Sequence, residues 1–140
     1  AVGVEEAIAL FEEVVAWHPE HENLAKMAVA LLNLGLAHHE LGDHEASRRE
    51  FEEARLCLER TGLRTSHAHA LQGLAAEEAY ESRFENAARL LGEARKELDD
   101  VGSPENGFAE TMVSCAKATS LEALGEDAFA AAYAQGLTPG

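Results

Sequence analysis

Apolar and small residues recur along the chain in a pattern that repeats after 40 residues. The segments EEAIALFEEV, EASRREFEEA and ENAARLLGEA, which begin at Glu5, Glu45 and Glu85, align at this shift. Each contains a small residue, a large apolar residue four positions later, and a small or apolar residue three positions further on. Because such spacings place side chains on one face of an α-helix, each segment is predicted to be a helix with one buried face. The residues of these faces are Ala7, Phe11 and Val14; Ser47, Phe51 and Ala54; and Ala87, Leu91 and Ala94.

The same shift reveals a second helix in each repeat. It aligns LLNLGLAHHELG with LQGLAAEEAYES, which begin at Leu31 and Leu71. The leucines Leu34 and Leu74 are each followed by a small residue, which would let a neighbouring helix approach closely. The pattern therefore predicts helix pairs stacked in a row. Near the end of the chain, Phe129 and Tyr133 are spaced to share a helix face, and we expect them to seal the last pair.

Capping and breaking residues divide the chain into helices. Ser82 and Glu85 have the spacing of a capping box, and Ser103 with Pro104 suits the start of another helix. We predict a single all-α domain over residues 1–140, built from about seven antiparallel helices. Their ranges are approximately 4–17, 20–41, 44–60, 64–81, 84–99, 104–123 and 126–135.

Composition and charge narrow the classes of partner. Alanine, leucine and glutamate dominate and only three prolines occur, which favours helix throughout. The formal net charge of −15 would repel phosphate backbones and anionic lipids, so we expect no direct nucleic-acid partner and no membrane partner. No window carries the ~18 apolar residues of a membrane span.

Cys57 and Cys115 lack metal-ligand spacing, and we expect buried free thiols in a reducing cytoplasm.

The segment LLNLGLAHHELGDHEASRREFEEA resembles a tetratricopeptide repeat (TPR), a motif of paired helices. The matching positions carry the large, small and aromatic residues of that motif in order: Leu31, Leu34, Gly35, Gly42, Asp43, Ser47, Phe51 and Ala54. The first helix also ends at a proline, Pro19, as in that motif. The repeat here is longer than the usual length of about 34 residues. The resemblance implies a TPR-like right-handed α-α superhelix, in which the first helix of each pair lines a concave groove.

A narrower resemblance lies in HALQGLAAEEAYESRFENAARLLGEARKEL and in LGEDAFAAAYAQGLT, which begin at His69 and Leu124. Together they resemble the carboxy-terminal end of the TPR-like region in actinobacterial signal-transduction ATPases and LuxR-type transcriptional regulators. This implies the sensing or coupling region of a cytoplasmic regulator, with nucleotide-binding and DNA-reading modules elsewhere in the polypeptide. The present sequence contains no phosphate-loop motif and no basic recognition helix. We therefore expect no enzyme activity and no cofactor, and a free-standing TPR adaptor is the alternative.

The TPR resemblance also implies which residues line the partner-binding groove. One helix would contribute Val29, Leu32, Asn33, Leu36, His39 and Glu40, and the next would contribute His69, Gln72, Gly73, Ala76, Ala79 and Tyr80. Neither set contains lysine or arginine, so the mixture suits an amphipathic helix or a sister domain better than a peptide carboxylate. Several of these positions could instead pack between repeats.

Two further hypotheses concern self-association and metal binding. The first helix lacks a partner helix within the sequence, which suggests a cut through a longer solenoid. Its apolar residues would then be exposed unless covered, for example in a homodimer: Ile8, Phe11, Val14 and Val15. Seven histidines also raise the question of a metal site. The histidines that lie close together in sequence either straddle a helix break or diverge on a helix, so we predict no metal. These pairs are His18 with His21, His38 with His39 and His67 with His69.

Overall fold

The structure, a computed structural model, describes residues 4, 5, 8, 9, 24–103 and 109–138. Six complete helices follow one another in this part of the chain, and it contains no strand. They are α1 (Leu24–Glu40), α2 (His44–Thr61), α3 (Arg64–Tyr80), α4 (Phe84–Asp100), α5 (Glu110–Leu124) and α6 (Glu126–Leu137). The predicted all-α class is confirmed. Of the predicted first helix, residues 4, 5, 8 and 9 are helical and the rest lies outside the described residues.

The observed ends of α2, α3 and α4 agree closely with the predicted ranges, but α5 begins later than expected. The prediction started this helix at 104, whereas Ala109 is non-helical, with a φ of 53°. A left-handed residue cannot continue a right-handed helix, so α5 begins at Glu110. The Asn106-Gly107 pair just upstream is a turn signal that the prediction did not use.

Left-handed residues end four helices at equal intervals along the chain: Gly42, Gly62, Ser82 and Gly102. At Ser82 the prediction of a capping box was wrong. Ser82 has a φ of 63° and ends α3, and the N–H of Arg83 donates to the carbonyl of Glu78 at 2.8 Å. The N-cap of α4 is Arg83, which makes no side-chain capping bond. Ser82 therefore occupies the position that glycine holds in the other turns.

The predicted buried faces of α2 and α4 are confirmed. Ser47, Phe51 and Ala54 are each 0 % exposed, and the corresponding side chains of α4 are also buried. The ring of Phe51 lies against two helix-interior glycines, Gly35 of α1 and Gly73 of α3. Phe51 thus fills the space between α1 and α3, and the main core forms around it.

The last helix, α6, packs most extensively on α4 rather than on its predicted partner α5. Gly92 and Gly136 allow the two backbones to meet, since a Cβ on Gly136 would come within 2.6 Å of the amide nitrogen of Glu93. Phe129 is buried in a cluster with Ala88 of α4. Leu124 of α5 and Tyr133 of α6 pack against the same cluster, so Phe129 does contact the last pair as expected, and it also joins that pair to α4.

Two predictions about exposure are also corrected. Ile8 was expected to be exposed on an unpaired helix, but it is 8 % exposed and clusters with Leu34 and Ala37 of α1. The other three residues of the proposed dimer face lie outside the described residues.

Both cysteines are free, but Cys115 is exposed and Cys57 only partly buried, because each lies off the buried stripe of its helix. In the described part of the chain, every helix is too short or too polar to cross a lipid bilayer.

Candidate functional site

A pocket of about 390 Å³ lies among α1, α3, α5 and the first residue of α4. We call it the inner pocket. Its lining residues are His39, Ala76, Ala79, Tyr80, Ser82, Phe84, Met112, Cys115, Ala116 and Thr119. Ala76, Ala79 and Met112 are buried, whereas Tyr80 and Cys115 are exposed at its edge. The inner pocket therefore has an apolar floor, and no lysine or arginine is among its described lining residues.

A buried carboxylate receives two histidines beside the inner pocket. Glu77 of α3 is 1 % exposed. Nδ1 of His39 lies 2.6 Å from Oε1 of Glu77, and Nδ1 of His44 lies 2.9 Å from Oε2. We call His39, His44 and Glu77 the His-Glu-His cluster. It joins three consecutive helices, because His39 is in the last turn of α1 and His44 is the first residue of α2.

The charge of Glu77 is held by these hydrogen bonds. Burial alone would raise the pKa of Glu77, but the hydrogen bonds from His39, His44 and Ser47 and the electrostatic attraction of His39 together hold the pKa below its ordinary value. An ionised carboxylate only accepts hydrogen bonds, so Nδ1 of each histidine carries the donated proton. In the described part of the chain, the ion pairs of Glu77 are with these two histidines.

Local structure fixes the orientation of both histidine rings. Gly42, with a φ of 83°, reverses the chain between α1 and α2, and the N–H of Asp43 donates to the carbonyl of His38 at 2.8 Å. This turn brings His39 and His44 together, with ring centroids 5.0 Å apart and planes at 84°. The ring of His44 stacks on Tyr80 at 3.5 Å. The cluster is therefore ordered by the backbone turn on one side and by an aromatic stack on the other.

The predicted groove residues fall into different environments. His39, Ala76 and Tyr80 line the inner pocket together with Ala79. Gln72 is buried at 2 % exposure, and Leu32 and Gly73 pack in the interior. The remaining positions lie on or near the surface: Val29 and Glu40 are exposed, and Asn33, Leu36 and His69 are partly buried. Partner binding by these residues stays a prediction.

The predicted histidine pairs are separated by the structure. His38 bonds to Glu50 at 2.6 Å, whereas its neighbour His39 bonds to Glu77. His67 bonds to Glu97 at 2.8 Å. The hydrogen bond that His67 donates to Glu97 raises the pKa of His67, whereas burial lowers the pKa of His69. His18 and His21 lie outside the described residues.

The His-Glu-His cluster was missed because its members belong to different helices. One signal in the sequence points towards it. Glu77 lies in LAAEEAY, between alanines that belong to the apolar pattern of α3. A carboxylate among core positions needs a partner when buried.

Comparison with protein-family models, with curated proteins and with solved structures found no match for this chain.

Proposed function

We propose that this chain is a non-catalytic, TPR-like helical-repeat module, and that its inner pocket binds the apolar face of a basic amphipathic helix. The observation that supports this most directly is the composition of the pocket wall. Most of its lining residues belong to α1, α3 and α5, the helices that would line the concave surface in a right-handed stack of pairs, and Ser82 and Phe84 complete it from the turn between α3 and α4. The pocket thus collects three alternate helices around one apolar floor.

The chemistry of the partner follows from the lining and from the charge of the chain. Buried alanines and Met112 offer apolar contact, and helix-in-groove binding uses side chains spaced along one helix face. The net charge of −15 favours a partner with lysines and arginines flanking those apolar anchors. No lysine or arginine among the described lining residues would oppose them.

The wider assignment is part of the same proposal. A sensing or coupling role in a cytoplasmic transcriptional regulator accords with the sequence resemblance and with a module that binds protein. In that setting the stack would hold a partner helix along its inner surface and pass a change of curvature to attached modules. A free-standing adaptor would use the same pocket, and neither role requires catalysis.

A peptide selection with a counter-screen tests the proposal. A displayed library of helical peptides is selected on the wild-type chain, and the recovered peptides are tested against Cys115→Phe, which fills the inner pocket from an exposed position. The matched control is Ser114→Phe, which introduces the same ring at an exposed neighbouring position outside the lining. We expect basic amphipathic sequences that lose at least about tenfold in affinity for Cys115→Phe and bind Ser114→Phe normally. Peptides that bind both variants equally would contradict the pocket assignment.

A further inference from the structure

We propose that the His-Glu-His cluster is a binding site for a divalent transition-metal ion, with zinc as the best-suited ion. The proposal is independent of peptide binding. It concerns three side chains that offer two imidazole nitrogens and one carboxylate, with ligand atoms all within 4.8 Å of one another. Two histidines with one glutamate form a ligand set of zinc sites that keep one position open for water.

The distances in the cluster leave a small adjustment for metal binding. The two Nδ1 atoms lie 2.6 and 2.9 Å from the Glu77 oxygens, whereas ligand atoms around tetrahedral zinc are about 3.3 Å apart. The two nitrogen–oxygen distances must therefore each grow by about 0.4 to 0.7 Å, while all ligand atoms of the cluster already lie within 4.8 Å of one another. His39 is 24 % exposed and His44 is 17 % exposed, so both have room to move towards solvent.

A neutral histidine can offer either ring nitrogen to a metal, depending on its tautomer. In the tautomer that carries its proton on Nδ1, this nitrogen donates to Glu77 and Nε2 holds the lone pair. Transfer of the ring proton from Nδ1 to Nε2 through water gives the other neutral tautomer. Nδ1 then offers its lone pair to the metal, and Nε2–H becomes a donor to water or to a neighbouring group.

The charge of the site favours a cation. Glu77 is almost fully buried and its described ion-pair partners are histidines, which carry a positive charge only when protonated. A divalent ion would supply that charge directly and would bind through nitrogen and oxygen ligands suited to zinc. His39 also lines the inner pocket, which gives a bound ion a route to solvent.

The rigidity of the cluster separates it from a chance meeting of side chains. The His44 ring is stacked on Tyr80 with an interplanar angle of 17°, and the turn at Gly42 sets the distance between His39 and His44. By contrast, His38 bonds to Glu50 and, among the described residues, belongs to no group of three possible metal ligands, although it adjoins His39. His38 is therefore a matched control within the same helix turn.

The experiment is a calorimetric titration of chelator-treated full chain with Zn²⁺ at neutral pH. We expect one equivalent to bind the wild type and His38→Gln with equal affinity. Loss of a group that only supports a metal ligand weakens metal binding by about 10- to 100-fold. Loss of a direct ligand in His39→Gln or His44→Gln should weaken zinc binding by more than this. Far-UV circular dichroism checks that each variant is folded, and His39→Gln, at the more exposed ring, is the safer of the two.

Two further measurements assign the site. Co²⁺ should give visible absorption bands with the wild type and with His38→Gln but not with His39→Gln. A variant with both His18→Gln and His21→Gln should keep wild-type zinc binding. The proposal is overturned if the wild type binds no stoichiometric zinc, if His39→Gln and His44→Gln bind as the wild type does, or if binding is lost in the His18, His21 variant.

Discussion

The ring of Phe51 lies so close to the backbone of Gly73 that a Cβ added to Gly73 would come within 2.5 Å of the ring. Phe51 is fully buried, so its ring has little space to move away. Gly73→Ala should therefore lower the free energy of unfolding by about 2 kcal/mol through overpacking, measured by urea denaturation. Helix propensity alone favours alanine over glycine by about 1 kcal/mol, so a decrease in the free energy of unfolding would have to come from the contact with Phe51.

A double-mutant cycle provides the control for this contact. In a Phe51→Leu background the side chain facing Gly73 is smaller, and the added methyl group should cost less. An interaction energy of about 1 kcal/mol between the two substitutions is expected for residues in direct contact. Strict additivity would show that Phe51 and Gly73 do not contact each other as described.

The turn between α3 and α4 contains an unfavourable residue that can be improved. Ser82 has a φ of 63°, which costs a non-glycine residue about 1 kcal/mol or more. Ser82→Gly should raise the free energy of unfolding by about 0.5 to 1 kcal/mol in thermal or chemical denaturation. Glu81→Gly is the matched control, since Glu81 has a φ of −82° and gains nothing from glycine. Equal destabilisation by both substitutions would contradict the left-handed assignment of Ser82.

The crossing of α6 over α4 depends on glycine. A Cβ on Gly136 would meet the backbone of α4 at Arg89 and Glu93, which no side-chain rotation can relieve. Gly136→Ala should lower the free energy of unfolding by about 2 kcal/mol and increase amide exchange throughout α6. If Gly136→Ala instead stabilises the protein, as helix propensity alone would dictate, then α6 does not dock on α4 in this way.

The pH dependence of stability should report the His67–Glu97 hydrogen bond. This bond raises the pKa of His67 in the folded state above its unfolded value of about 6.5. The folded protein then binds the proton more tightly, so the stabilisation is complete below pH 6.5 and is lost as pH rises through the folded pKa. The difference in unfolding free energy between wild type and His67→Gln should shrink above pH 6.5, measured by urea denaturation at several pH values.

His69 gives the opposite sign and serves as the control. Burial lowers the pKa of His69, so the unfolded chain binds the proton more tightly. This lowered pKa does not change the free energy of unfolding above pH 6.5, and it destabilises the folded state as the pH falls below that value. The stability of His69→Gln relative to wild type should therefore rise on acidification. Parallel trends for the His67 and His69 variants would contradict the two environments described.

The sequence predicted the helices well because their signals are local. The spacing of Ser47, Phe51 and Ala54 determines a buried face within one helix, and Gly42 and Gly62 mark helix ends through their own backbone freedom. Ser82 shows the limit of this reasoning. Its side chain matched a start signal, while the turn geometry used it as a stop.

The candidate site was less predictable because it depends on how helices pack. His39 and Glu77 meet only when α1 and α3 are placed side by side in a particular register, and a period of 3.6 residues does not determine that register. The crossing of α6 over α4 likewise depends on a glycine in each helix, Gly92 and Gly136. A glycine inside a predicted helix is a usable signal, because its cost to helix stability is commonly offset by a close approach.

The most direct test of the proposed function is a nitrogen-15 NMR titration of the chain with a selected basic amphipathic peptide. If the peptide binds in the inner pocket, the largest amide shift changes occur around it, at Ala76, Tyr80, Cys115 and Thr119. Shift changes confined to the outward residues of α2 and α4, such as Arg55 and Lys96, would contradict it.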